Sequence, residues 1–180
     1  MPRGAPMLER AGRALFEAQA LADCIEPLEL ALEARKASGA PPAVIADLEY
    51  LLLNAGWVSD REVAARYGED ACRILGDFAG LGTMRRWSRF VGWTLAFVVA
   101  ISWASLRWLF RFGEARGPTP IRAMSQFVIG LSYTTAVAYA ANQKEDVLRL
   151  TRLIEPFRAF RGQPPYAGYQ MIKAMMDVLE

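Results

Sequence analysis

The chain of 180 residues has no histidine. That absence removes histidine general acid–base catalysis, bis-His and His/Met haem ligation, and every zinc pattern that needs an imidazole. Cysteine is scarce as well. Cys24 and Cys72 lie far apart, form neither a disulfide framework nor a Cys-x-x-Cys pair, and read as two small buried apolar residues. No phosphate-cradling glycine loop, nucleophile elbow or dinucleotide fingerprint occurs. The acidic pairs Asp60/Glu62, Glu69/Asp70 and Glu145/Asp146 have no matching base and fit solvated helix starts. Met175 and Met176 fit packing better than a metal site. The expectation is a non-enzyme with no catalytic residue, no metal and no cofactor of its own.

Charge is unevenly spread. Residues 1–80 carry 8 Lys/Arg against 13 Asp/Glu, a net of −5; residues 81–180 carry 13 against 6, a net of +7. The basic half also holds the apolar runs, and its arginines bracket those runs rather than forming a polar face. That pattern points to anionic phospholipid and away from nucleic acid. Arg3, Arg10 and Arg13 hint at an organellar presequence, but Glu9 and Glu17 weigh against one.

Two long uncharged runs dominate the second half. Phe90–Leu106 has 17 uncharged residues and reaches Phe110 if Arg107 is tolerated. Those 21 residues would span about 31 Å, close to a bilayer core of about 30 Å. Trp87, Trp93, Trp103 and Trp108 lie towards its ends, as at a headgroup boundary. Ala123–Gln143 has 21 uncharged residues but is less apolar, with Ser, Thr, Tyr, Gln and Asn scattered through it. The connector between the runs is rich in Gly, Pro and Arg. A transmembrane helical hairpin, about 90–110 and 123–142, is therefore expected. A weak excess of basic residues outside it favours both tails on the cytoplasmic or matrix side.

The rest of the chain reads as helix. Apolar spacings of three and four predict a helix over 7–37, kinked or split at Pro27 and ended by Ser38–Pro42. A second helix is expected over 43–54. A third should start from a capping box at Ser59–Glu62 and run to about Ala79, with a flexible joint over 76–82. After the second run the helix is expected to continue without a break towards Pro156, with a last short helix at 168–179. The fold class is thus all-α: a soluble acidic helical domain (1–80), the hairpin (81–143), and a C-terminal amphipathic helical extension (144–180).

Two sets of residues stand out. Ala96, Ala100 and Ala104, and Gly130, Thr134 and Ala138, repeat every four residues. Small residues at that spacing let helix backbones approach closely, and both sets are expected at a helix-packing interface. The polar, small faces of the second run extend beyond one stripe, which suggests enclosure by other membrane subunits. Arg85, Arg86, Arg89, Arg107, Arg149 and Arg152 are expected to contact lipid headgroups, Arg107 by snorkelling from within the apolar run. These features point to a non-catalytic accessory subunit of a large membrane complex. Such chains are commonest in the respiratory complexes and ATP synthase of the mitochondrial inner membrane, which is the expected location. The alternatives are a small self-associating channel, transporter or membrane-shaping protein, and a soluble helical protein whose apolar runs form a buried hairpin.

Overall fold

The computed structural model describes residues 4–110 and 118–154, with positions 170, 173, 174 and 177 near the C-terminus. Most of the expected loop between the runs, the continuation beyond 154 and nearly all of the 168–179 helix lie outside the described residues. Eight helices and no strand occur among the described residues: α1 (Ala5–Glu17), α2 (Ile25–Ala37), α3 (Pro42–Ser59), α4 (Arg61–Phe78), α5 (Leu81–Val91), α6 (Trp93–Phe110), α7 (Pro120–Ala140) and α8 (Lys144–Ile154). The all-α class stands.

Several boundaries differ from the sequence expectation, each for a local reason. The first helix splits before Pro27, not at it. Gln19 adopts a left-handed φ of 62°, and Pro27 sits in the first turn of α2, where its missing N–H costs nothing. α3 runs on through Gly56 to Ser59, because Gly56 marks where α4 crosses: a Cβ there would lie 2.6 Å from the Ala64 nitrogen. The cap of α4 is Asp60, one residue later than expected. Asp60 Oδ1 accepts from the amides of Glu62 and Val63, while the Ser59 hydroxyl donates to the Ala55 carbonyl. α7 and α8 are separate, broken where Asn142 takes a φ of 56°, a conformation that asparagine tolerates better than most residues.

The largest revision concerns the two uncharged runs. α7 lies at the centre of the bundle and packs chiefly on α4, with further contact to α8 and α3. Thr134 to Ala138 are buried in unbroken succession, as happens only when neighbours surround a helix on all sides. One continuous core joins Ala46 of α3, Cys72 and Leu75 of α4, Phe127 and Leu131 of α7, and Val147 and Leu150 of α8. A second core holds α1–α4 together around Leu28, Leu48 and Leu52. The buried hydroxyls of Ser132, Thr134 and Thr135 donate to the carbonyls four residues earlier at 2.9, 2.8 and 2.7 Å. Those bonds satisfy them without any partner from another chain.

Among the described residues one helix, α6, is long and apolar enough to cross a membrane; α7 is not such a helix. α6 touches α7 only lightly and pairs with α5 instead. The transmembrane hairpin expected at 90–110 and 123–142 is therefore not the pairing that forms. The observed hairpin is α5–α6, turned at Gly92 (φ 75°, ψ 164°), a backbone region open essentially to glycine alone.

Candidate membrane-facing site

Small residues close the α5–α6 hairpin and bring it against the end of α4. Ala96, Ala100 and Ala104 are buried, and Met84 of α5 packs against the first two. Gly80, at the α4–α5 junction with φ +78°, comes so close that a Cβ would lie 3.0 Å from the Ala100 carbonyl oxygen. Phe97 and Ile101 reach the main core beside α7. At 100° per residue these positions define one side of α6.

The opposite side is open. Leu95, Val98, Ser102, Leu106 and Leu109 recur at spacings of three and four, and all are exposed. Leu95, Val98 and Leu109 each keep more than half of their surface, and Phe110 keeps 66%. α5 adds Trp87, Val91 and Phe90, the last 78% exposed. A contiguous exposed apolar face of this kind marks a surface that meets lipid or protein. Arg85, Arg86 and Arg89 interleave with Trp87 and Phe90, all exposed, and none of the three has an acidic partner among the described residues.

The six arginines expected at lipid divide into different environments. Arg85, Arg86 and Arg89 line the open hairpin. Arg107 is exposed near the end of α6, with Nη2 3.5 Å from the Asp77 carbonyl oxygen. It borders a cleft of about 350 Å³ that Pro41, Pro42, Arg73, Asp77 and Trp108 also line. Arg149 is held by protein: it pairs with Glu69, tying α8 to α4, and with Asp146 at 2.8 Å. Arg152 is exposed on α8. The two small-residue sets do not meet each other. Ala96 and Ala100 face α5 and Ala104 lies beside Gly80 at the α4–α5 junction, whereas Gly130 and Thr134 face α3 and α4. A Cβ on Gly130 would lie 3.2 Å from Leu53 and 3.3 Å from Cys72 Sγ, and one on Gly68 would lie 2.4 Å from Thr134 Oγ1. Ala138 belongs to the core shared by α4, α7 and α8.

The polar sites elsewhere are built for cohesion. Glu9 accepts from Arg13 and Arg35, and Arg13 also reaches Asp47 at 2.5 Å, beside a cavity of about 410 Å³. Burial pushes the Glu9 carboxyl up, but the hydrogen bonds from Arg35 and Arg13 bring it below its ordinary value. Glu49 is 1% exposed, and Lys36 Nζ lies 2.7 Å from one carboxylate oxygen while the other has no partner. Burial outweighs Lys36 and raises the Glu49 pKa. Sequence reasoning missed this residue; its position on the apolar side of α3, beside Leu48 and Leu52, was the available signal. Burial drives the Cys72 thiol up to about 12 and raises that of Cys24, so both are inert. No group of His, Cys, Asp and Glu able to hold a metal occurs among the described residues.

An arginine held at the centre of a bilayer costs about 2.5–3.5 kcal/mol. The hairpin therefore cannot be immersed whole without heavy cost, because α5 would carry Arg85, Arg86 and Arg89 with it. No protein family, curated protein or solved structure matches the chain.

Proposed function

We propose that this chain is a non-catalytic structural subunit of a larger membrane complex, attached to the membrane through the α5–α6 hairpin. The observation that carries the reading is α6 itself. It has the length and apolar composition of a membrane helix, yet only 17% of it is buried by the rest of the chain. An apolar face left open in this way needs a non-aqueous neighbour. The acidic bundle of α1–α4 is the part suited to docking on neighbouring subunits. The further placement, in a respiratory complex or ATP synthase of the mitochondrial inner membrane, rests on class features: a chain of 20.0 kDa, free of histidine, with a small helical domain and little membrane-compatible surface.

α7 does not contribute to this reading. Its Ser125 is exposed, but Gly130, Ser132, Thr134, Thr135 and Ala136 are buried within the same chain, so they give no ground for inferring other subunits. Among the described residues α6 is the one candidate span, so a channel would have to be assembled from several copies of it. The test is purification of the tagged chain in mild detergent, followed by a native gel and mass spectrometry of the band. Co-migration of nearly all the protein with a large membrane complex is expected. A purely monomeric, water-soluble pool would refute the proposal.

A further inference from the structure

Resting on that reading of the α5–α6 hairpin as the membrane attachment, we infer that α6 lies in the plane of an anionic bilayer surface and does not cross the bilayer. Two observations converge. First, one side of α6 is attached along most of its length. Met84 meets Ala96 and Ala100, Gly80 meets Ala100 and Ala104, and Arg107 reaches Asp77 of α4. A perpendicular α6 would pull α5 and the end of α4 into hydrocarbon, with Arg85, Arg86, Arg89 and Asp77. Second, the open side runs along the described helix, from Leu95 to Leu109. A face that long and even is matched by a flat apolar layer lying parallel to it.

Charge selects the kind of surface. Arg85, Arg86 and Arg89 are exposed and have no acidic partner among the described residues, beside exposed Trp87 and Phe90. Aromatic rings at the acyl boundary, with guanidinium groups among phosphates, form the chemistry of an interfacial helix on anionic lipid. A bilayer with anionic phospholipid headgroups is therefore the occupant.

Depth measurement tests the inference. L95C, V98C, L106C and L109C each place one reactive thiol on the open face; Cys24 and Cys72 are buried and stay unlabelled. The full chain is labelled with a fluorophore at each site and bound to vesicles of phosphatidylcholine and phosphatidylglycerol carrying shallow or deep acyl-chain quenchers. All four labels are expected at one shallow depth, roughly 5–10 Å below the headgroups. Labels near Ser102 deepest and the ends shallow would mean a crossing helix; that overturns the in-plane inference and leaves membrane attachment standing. No binding to any vesicle overturns both, as does shielding of the four labels by a second copy in the absence of lipid. The R85Q/R86Q/R89Q variant, judged folded by circular dichroism, is expected to partition roughly 100-fold less onto the anionic vesicles. Unchanged partitioning would overturn the assignment of anionic lipid.

Discussion

Gly68→Ala tests directly whether α7 is the centre of the bundle. A Cβ at Gly68 would stand 2.4 Å from Thr134 Oγ1, 3.1 Å from Thr134 Cγ2 and 3.2 Å from Leu53 Cδ1. Thr134 has little room to yield, being 6% exposed with its hydroxyl bonded to the Gly130 carbonyl at 2.8 Å. Two effects oppose each other. Overpacking costs about 1–3 kcal/mol, while replacing glycine by alanine within a helix returns about 1 kcal/mol. The net expectation is a loss of up to about 2 kcal/mol. Thr134→Ala alone removes a buried methyl and a hydroxyl that closes a local bond, for a loss of about 1 kcal/mol after its better helix propensity. In the double variant the new methyl occupies the space that Thr134 vacates. G68A/T134A should then be at least as stable as T134A, a coupling of about 1–2 kcal/mol. Urea unfolding of the four proteins, followed by circular dichroism in one buffer, measures it. If α7 instead left the bundle to pair with α6 in lipid, residues 68 and 134 would not touch. Gly68→Ala would then stabilise α4 by about 1 kcal/mol, and the two changes would add within about 0.5 kcal/mol. That result would refute the packing described above.

The remaining predictions concern the buried carboxylate and the two glycines at the start of the hairpin. The Glu49 pKa is raised in the folded chain, so the stability that its protonated form contributes is full below the unfolded pKa and is lost as pH rises through the folded one. Glu49→Gln should therefore gain on the wild type as pH increases from acid to neutral; a difference in Tm that stays flat with pH would contradict this. Gly80→Ala combines a left-handed φ of +78° with a 3.0 Å approach to the Ala100 carbonyl and should cost about 1–3 kcal/mol, read as a lower urea midpoint. Gly82→Ala, two residues on in the first turn of α5, meets nothing within 4 Å and should stabilise by about 0.4–1 kcal/mol in the same assay.

Local structure was largely legible in the sequence, and long-range pairing was not. Turns and caps declare themselves within a few residues, which is why Ser38–Pro42 ends α2 and the joint near Gly80 lies where glycine density places it. The misplaced cap shows the resolution of such reasoning: Ser59 and Asp60 are both good N-cap residues, and only the backbone decides between them. The surroundings of α7 are illegible in sequence for a deeper reason. A helix enclosed by protein and one enclosed by lipid both need an uncharged run, and both satisfy hydroxyls through carbonyls four residues earlier. Composition alone does not name the surrounding medium. Stripes of small residues have the same ambiguity. Gly130 and Thr134 announce a close approach, but any helix can make it, and α4 answers with its own Gly68.

The arrangement of α6 follows from that same use of small residues. The buried positions of α6 are alanines, so apart from Trp93, Phe97 and Ile101 little of its large apolar volume contributes to the core. Leu95, Val98, Leu106, Leu109 and Phe110 face outward instead, where water makes their exposure most costly. A helix needed only to complete the bundle would gain more by turning its leucines inward and placing alanine or polar residues outside. The opposite arrangement makes sense when the outer medium is apolar. In the membrane attachment proposed for the hairpin, the alanine side would strap the helix down and the large side chains would supply the contact with lipid.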